Sequence, residues 1–291
     1  MSAELGVLFA IGALLCWGFG DFSIQRATRK IGDWEALFVI VALGAVVLTP
    51  LVYKDLEILF SFQDSTFLVL TGVSVVLLMA ALFDFEALKK GKITIAEPLL
   101  ALEVPITAVL AVFIINEGLG IVEIFLITIL IAGLILISLR SHHLKRKVWL
   151  EKGVVLMICG AVLMGIANFM YGFATRITNP LLTNWFIDVF VTLICLFYLM
   201  SNKRTGNLTR DIMKNKKIVF FTAAFDNLAW IFFAFAVTFI PITIALSISE
   251  SYIAVAALLG LAINKEILMR HQKIGLATAL GSAVALSVMV I

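Results

Sequence analysis

The strongest constraint on this chain is that parts of its sequence occur twice. Matching pieces are Gly6-Val7 and Gly153-Val154, Phe22 and Phe169, Ala27-Thr28-Arg29 and Ala174-Thr175-Arg176, Ile93-Thr94-Ile95-Ala96 and Ile242-Thr243-Ile244-Ala245, and Glu117 and Glu266. The first three pairs are 147 residues apart and the last two are 149 residues apart, as the residue numbers show. A repeat of this length predicts two similar structural units with an interface between them.

The composition indicates where these units fold. Of the 291 residues, 62% are hydrophobic and only 14% are charged, and the mean hydropathy is +1.11. A helix that spans a bilayer needs ~20 mostly apolar residues. Ten stretches qualify: about 5–25, 34–53, 66–88, 93–115, 119–139, 152–175, 181–200, 217–238, 243–264 and 272–291. We therefore predict an all-α integral membrane protein with ten transmembrane helices.

The ten stretches divide into two domains of five. We place the first repeat at 1–140, a basic connector at 141–151 and the second repeat at 152–291. Five helices are an odd number, so the second copy enters the membrane from the opposite side, and the repeats are predicted to be inverted. In proteins built this way the substrate site lies near the middle of the bilayer, between the halves.

The basic residues predict the orientation. Twenty of the 22 lysines and arginines lie in or beside odd-numbered connectors, and only Lys54 and Arg176 lie beside even-numbered ones. Because lysine and arginine mark cytoplasmic loops, we predict a multi-pass protein of the cell membrane with cytoplasmic odd-numbered loops and external termini. The basic loops are short and held at the membrane, so nucleic acid is not an expected partner.

No cofactor or metal site is predicted. The three histidines fall in loops, and the three cysteines lie singly in separate helical stretches: His142, His143, His271, Cys16, Cys159 and Cys195. A membrane-embedded enzyme would need a nucleophile with a base, or a metal cluster, within the membrane. We therefore predict that the protein is not an enzyme.

The duplicated segments resemble a known family. Trp17-Gly18 in the first helix, and Pro105 followed by Glu117 at the end of the fourth, are similar to the EamA-type branch of the drug/metabolite transporter superfamily. The resemblance covers essentially the whole chain and implies a ten-helix carrier that moves small organic solutes, commonly outward, by alternating access. Two features differ from the family pattern: the predicted external termini, and Met164-Gly165 in place of a second Trp-Gly pair.

Eight acidic residues fall within the apolar stretches. Glu103, Asp188, Asp226 and Glu250 lie near the middle of theirs, whereas four others lie nearer the ends, where we expect most to reach solvent: Asp21, Asp84, Glu86 and Glu97. A charge at the bilayer centre is costly and normally faces a cavity or a partner. The central four are thus either neutral packing groups or the lining of a water-filled cavity.

Residues three or four apart share one face of a helix, and this spacing groups the acids with aromatic and amide side chains. Trp17 precedes Asp21, and Asp226 precedes Trp230, by four residues. The tryptophans either pack or stack on a cationic cargo. The candidate substrate-binding residues are Trp17, Asp21, Glu103, Asn168, Tyr171, Asp188, Asp226, Trp230, Glu250 and Tyr252.

An acid-lined site without bases favours amino acids or amine-like compounds over phosphorylated cargo, which is recognised by lysine and arginine. The sequence therefore predicts a secondary transporter, an exporter, whose partners are a small-molecule substrate and the lipid bilayer, with proton or cation coupling. A carrier of sugars or other metabolites by facilitated exchange, and an ion channel, are the alternatives. Both a monomer and a homodimer are compatible with the sequence.

Overall fold

The computed structural model describes residues 2–61, 64–90, 100–138, 152–255 and 269–290, without the side chains of a few of them. These residues form twelve helices: α1 (Ser2–Ile31), α2 (Asp33–Val52), α3 (Leu56–Ser61), α4 (Asp64–Lys90), α5 (Glu103–Ile115), α6 (Ile121–Ser138), α7 (Lys152–Ile177), α8 (Pro180–Ser201), α9 (Thr205–Lys214), α10 (Lys216–Phe239), α11 (Ile242–Glu250) and α12 (Arg270–Val290). The predicted connector 141–151 lies outside the described residues, as do 93–99 and 256–264 of two predicted helices.

Local sequence explains several helix boundaries. Gly32, between α1 and α2, has a φ of 103°, a conformation that glycine adopts without strain. α8 begins with Pro180 at its first position, and the side-chain oxygen of Asn179 accepts a hydrogen bond of 2.8 Å from the Leu182 N–H. This combination satisfies an exposed donor and presets the backbone for a helix.

Seven of the described helices are long and apolar enough to cross a membrane: α1, α2, α4, α7, α8, α10 and α12. Three apolar segments are shorter, namely α5, α6 and Ile242–Val255. Large apolar side chains lie on the outside of the bundle; Phe113 is 79% exposed and Phe197 is 74% exposed. An apolar exterior around helices whose backbones are internally hydrogen-bonded is typical of a multi-pass membrane protein.

The packing of the helices follows the duplication. α1 packs along α10, and its counterpart α7 packs along α4; α2 packs on its own counterpart α8, and α6 packs on α12. The smaller contact of α5 with α7 is likewise matched by the contact of α11 with α1, in which each helix is replaced by its counterpart. Each helix of α1–α6 therefore corresponds to the helix six places later, which is the arrangement expected of inverted repeats.

Two short helices and two helix interruptions were not predicted. α3 and α9 are counterparts that follow α2 and α8 within the connectors. The predicted helices 93–115 and 243–264 are each interrupted, by turns at 101–102 and at Ser251. Leu102 and Ser251 are 149 residues apart, so the interruption is itself repeated. Pro105 lies in the first turn of α5, where its missing N–H costs no hydrogen bond.

The two ends of the bundle are named here by their connectors. The odd end carries Gly32 and the 202–204 connector, and the even end carries the connectors 53–55, 116–120, 178–179 and 240–241. Helices α1, α4, α8 and α11 run from the even end toward the odd end, and α2, α7, α10 and α12 run in the opposite direction.

Candidate substrate site between the repeats

A cavity of about 140 Å³ lies between the repeats. Nine of the ten candidate residues line it: Trp17, Glu103, Asn168, Tyr171, Asp188, Asp226, Trp230, Glu250 and Tyr252. The tenth, Asp21, lies in α1, and its side chain is outside the described part of the structure. Both repeats contribute helices to the lining, so the cavity lies at the interface that the duplication predicts.

One side of the cavity is built around the carboxyl group of Glu103. This residue begins α5, immediately after the turn at Leu102, and is only 5% exposed. The Asn168 side chain of α7 donates a hydrogen bond of 3.0 Å to Glu103 Oε2. Beside it, the Thr107 hydroxyl donates to the Gly165 carbonyl at 2.8 Å. These two contacts fix a carboxyl group of the first repeat against a helix of the second.

α5 approaches α7 closely because Gly165 has no side chain. A Cβ atom at this position would lie 3.0 Å from the Glu103 carbonyl oxygen and 2.8 Å from Ile106 Cβ. Both distances are shorter than an ordinary van der Waals contact. Gly165 therefore allows the approach that the hydrogen bond between Asn168 and Glu103 requires.

Aromatic rings form the part of the lining that is nearest the even end in α1, α7 and α10. The rings of Trp17 and Trp230 meet edge to face, with centroids 5.4 Å apart and an interplanar angle of 87°. Tyr171 lies 4.9 Å from Trp230, and its hydroxyl donates a hydrogen bond of 3.0 Å to the Trp230 carbonyl. Phe233 packs behind Trp17 and Tyr171 at 5.7 and 5.8 Å. We call Trp17, Tyr171 and Trp230 the aromatic wall.

Two further carboxyl groups line the cavity. They belong to Asp188 of α8 and Asp226 of α10. Asn227 holds α10 against α2, because its Nδ2 donates to the Ile40 carbonyl at 2.9 Å as well as to the Ala223 carbonyl at 2.7 Å. The Asn227 side chain therefore holds the helix that carries Asp226 against α2.

Glycines make room for two of the carboxyl groups. A Cβ atom at Gly44 in α2 would overlap with Asp188 Oδ2 and with Asn227 Oδ1. A Cβ atom at Gly160 in α7 would overlap with Asp84 Oδ1 in the same way. Each carboxyl group thus occupies space that any other residue type at the glycine would fill.

Three polar residues outside the candidate list also line the cavity: Asp84, Asn184 and Asn227. We expected Asp84 to reach solvent because it lies near the end of its apolar stretch, but it is only 8% exposed. Leu77 and Ala81 are four residues apart, and Ala81 and Asp84 are three apart, so all three lie on one face of the helix. This spacing could have indicated that Asp84 points inward with the other two. Trp185 of α8 is not among the lining residues; its Nε1 donates a hydrogen bond of 2.9 Å to Thr49 Oγ1 of α2.

Ionic contacts close the bundle at the even end. Arg176 Nη1 lies 3.1 Å from Glu117 Oε1, and the same guanidinium donates to the carbonyls of Val237 and Ile240 at 2.8 and 2.9 Å. Glu117 also accepts hydrogen bonds from the Ile242 and Thr243 N–H groups and from the Thr243 hydroxyl, at 2.8, 3.1 and 3.0 Å. We call this set the even-end network. A carboxylate at the start of α11 and a cation at the end of α10 each suit the helix dipole.

The odd end has a smaller ionic contact. Arg204 Nε lies 2.9 Å from Glu35 Oε1, and its Nη2 donates to Glu35 Oε2 at 3.1 Å. The pair joins α2 to the connector after α8. Because α2 and α8 also pack along each other, this contact fastens neighbours that already touch.

The cavity extends from the middle of the bundle toward the odd end in α1, α2 and α4, whereas its lining residues in α8 lie in the even-end half of that helix. It reaches Ile24 late in α1, Leu37 early in α2 and Phe85 late in α4. In α1 the lining residue nearest the even end is Trp17, and in α10 it is Trp230. In α8 the lining extends closer to this end, to Asn184. The even-end network lies beyond these positions.

Taken together, the apolar helices and the exchange of packing partners define a multi-pass membrane protein built from two inverted repeats. The sequence model of the EamA-like transporter family matches residues 4–139 and 151–288. The chain belongs to the EamA-like transporter family.

A solved structure described as "Crystal structure of protein" has the same fold. It aligns with a TM-score of 0.75 at 12% sequence identity, over 98% of this chain and 96% of the other. At this identity the likeness concerns the fold alone. No curated protein matches the sequence.

Proposed function

We propose that the protein is a secondary transporter, an exporter of small organic compounds that carry an amine, including amino acids. The observation that carries this proposal is the cavity between the repeats, which has five carboxyl groups and three aromatic wall residues but no lysine or arginine among its described lining residues. Cargo with an ammonium group balances the carboxylates and stacks on the rings.

The proposed architecture has ten spans. In this proposal, each of the seven long helices and each of the three shorter apolar segments crosses the membrane once. With five crossings in each repeat, the odd end carries most of the lysines and arginines, which favours a cytoplasmic odd end. The cavity then extends toward the cytoplasm, as a carrier that loads cargo for export requires.

Alternating access gives the even-end network a role in this proposal. Glu117 of the first repeat contacts Arg176 and the start of α11 in the second. These contacts must separate when the cavity opens to the opposite side. The repeats supply a matched pair of arrangements, because exchanging their conformations reverses the open side.

Arg176 does not provide a basic group for anionic cargo. Its guanidinium is engaged by Glu117 and two backbone carbonyls at the even end, and it is not among the cavity residues. Phosphorylated cargo therefore has less support than amines. A carboxyl group that takes up a proton after the amine leaves would couple export to proton entry.

Uptake and exchange by the purified protein in liposomes test the proposal. Saturable uptake of a labelled amine, with counterflow against unlabelled amine inside, is the expected result. We expect D226N and E250Q each to reduce uptake at least tenfold, because each removes a carboxylate from the cavity. D211N is the matched control, since Asp211 is part of an exposed pair with Arg210.

Two results would contradict the proposal. Conduction of ions without saturation or counterflow would indicate a channel. Equal uptake by the wild type and both cavity variants would show that these carboxyl groups neither bind the amine nor couple its movement.

A further inference from the structure

Two side-chain oxygen atoms meet beside Gly44 in the lining of the cavity. Asp188 Oδ2 and Asn227 Oδ1 would both overlap with a Cβ atom at Gly44, so the two oxygens are at most ~4 Å apart. Both residues line the cavity. We propose that Asp188 carries the proton that the transporter exchanges for its cargo, held on Oδ2 by a hydrogen bond to Asn227 Oδ1. This inference rests on the proposed function and names the group that couples it.

The orientation of the Asn227 amide is fixed by its own donors. Its Nδ2 donates to the Ile40 carbonyl of α2 at 2.9 Å and to the Ala223 carbonyl at 2.7 Å. Exchanging the nitrogen and the oxygen would place the amide oxygen against two carbonyl oxygens, with no donor among them. The atom that meets Asp188 is therefore the amide oxygen, which accepts hydrogen bonds and cannot donate one.

The contact between Asp188 and Asn227 needs a hydrogen. An ionised aspartate only accepts hydrogen bonds, whereas a protonated aspartate can donate one through its O–H. Within the described part of the structure, no side chain or backbone group donates a hydrogen bond to Asp188 or forms an ion pair with it. Two acceptors in contact away from water are costly. A proton on Asp188 turns the same contact into a hydrogen bond.

Glu103 has the opposite arrangement in the same cavity. It meets the nitrogen of an asparagine side chain, because Asn168 Nδ2 donates to Glu103 Oε2 at 3.0 Å. This contact is complete when Glu103 is ionised and needs no proton. The two asparagines therefore separate the roles of the carboxyl groups. Glu103 stays available as a carboxylate for the amine, whereas Asp188 holds the exchangeable proton.

The exchange leaves the charge of the site unchanged. When a protonated amine enters, the O–H bond of Asp188 breaks, and the proton leaves to the water on the side to which the cavity is open. The ammonium group then donates to Asp188 Oδ2 and Asn227 Oδ1, which it can bridge with contacts of about 2.7–2.9 Å. When the amine leaves on the other side, the carboxylate takes up a proton from that side. One proton enters for each amine that is exported.

Other titratable groups also face the cavity. From the helices that pack on α8, α4 contributes Asp84, α7 contributes Tyr171 and α10 contributes Asp226, whereas the lining residues of α2 are apolar. Glu103, Glu250 and Tyr252 complete the titratable groups of the described lining. A test of the proposal must therefore count protons and identify Asp188, rather than measure affinity alone.

Binding of pentylamine to the purified full-length protein tests the proposal. Pentylamine stays charged from about pH 5.5 to 8.5, so its own titration does not contribute. Calorimetry in buffers of different ionisation enthalpy counts the protons released. We expect one proton per amine bound wherever Asp188 is protonated in the free protein, and an affinity that rises about tenfold per pH unit there. Infrared difference spectra should show the loss of the carbonyl band of one protonated carboxyl group on binding.

Variants assign the proton to a residue. D188N is expected to release no proton and to lack the infrared change. E103Q and D226N are the matched controls, because each removes another carboxyl group of the cavity. Both are expected to bind pentylamine more weakly and still to release one proton per amine bound.

A second measurement needs no cargo and decides the matter if D188N does not bind pentylamine. The carbonyl band is followed while the ligand-free protein is titrated with acid. N227A keeps the carboxyl group of Asp188 but removes its acceptor. We expect the band of N227A to appear at a higher frequency and its titration midpoint to move to a lower pH, because the protonated form loses its hydrogen bond.

The possible outcomes separate the two proposals. If the wild type binds pentylamine without releasing a proton at any pH, the exchange proposal is wrong, while an amine carrier remains supported. If D188N still releases a proton, or if N227A leaves the band and its midpoint in place, the assignment to Asp188 is wrong. If pentylamine is neither bound nor taken up, the proposed function fails and the exchange fails with it.

Discussion

The two ends of the bundle are fastened by the same type of ion pair in different settings. At the even end, Glu117 joins Arg176 and the start of α11, so one side chain connects elements of both repeats through several hydrogen bonds. At the odd end, Arg204 and Glu35 join α2 to the connector after α8 through one bidentate contact. The comparison teaches that the role of an ion pair depends on how many elements its hydrogen bonds join.

Removal of the Glu117 carboxylate is expected to have the largest effect on this comparison. The side chain is only 6% exposed, whereas Arg176 is 32% exposed, so the usual cost of breaking a buried pair is reduced by solvent screening. We expect E117A to lower the free energy of unfolding by about 2–4 kcal/mol. The measurement is denaturant unfolding in detergent, and a loss below that of E35A would contradict the comparison.

E117A should also change access to the cavity from the even end. Asn184 is the described lining residue that lies nearest this end of α8. We expect faster labelling of a cysteine at N184C when E117A is added. The control is N184C with E35A, whose labelling rate should not change, because Glu35 lies at the opposite end.

A methyl group at Gly44 is expected to have the next largest effect. It would overlap with the carboxylate of Asp188 and the amide of Asn227, between the two ends. We expect G44A to destabilise the protein by about 1–3 kcal/mol, as overpacking does, and to raise the amine KM more than it lowers the maximum rate. G281A is the control, since no atom lies within 4 Å of a Cβ there.

Removal of the Arg204 side chain should have a smaller effect. Arg204 is 38% exposed, and α2 and α8 keep their other contacts without it. We expect R204A to cost about 0.5–1.5 kcal/mol. Denaturant unfolding checks this value, and a loss equal to that of E117A would mean that the two ends are fastened equally.

The smallest effect is expected for Thr243. Its hydroxyl donates to Glu117 Oε2 at 3.0 Å, but two backbone N–H groups and Arg176 still contact this carboxylate when the hydroxyl is absent. We expect T243V to cost about 1 kcal/mol, the net value of one hydrogen bond. A loss as large as that of E117A would show that the hydroxyl, rather than the ion pair, holds the even-end network.

The fold followed from the sequence because its signals are long and repeated. Apolar stretches such as 34–53 and 181–200 coincide with α2 and α8, and the duplication gave the correspondence between them. The turns at Leu102 and Ser251 were not predictable, since apolar residues on both sides hide an interruption of a few residues. α3 was missed because six residues are too few to register as a span, and α9 because it is short and polar.

Depth within an apolar stretch was a good guide to the cavity in some cases and a poor guide in others. It indicated Asp188 and Asp226, which lie in the lining, but it placed Asp84 in solvent. Depth cannot show which face of a helix is covered, and Asp84 is buried by the approach of α7 at Gly160. Glu117 lies in a connector, as its position after the predicted fourth helix implied. Its partners could not be predicted, because they come from the other repeat and are far away in sequence.

The repeated interruption of two helices has a mechanical consequence. The turns at Leu102 and Ser251 each adjoin a cavity carboxyl residue, Glu103 and Glu250. A continuous helix tilts as one rigid unit. An interrupted helix allows one segment to change its direction while the other segment keeps its position. Two such turns, one per repeat, place the bending points next to the cavity, so any rocking of the halves would displace Glu103 and Glu250 first.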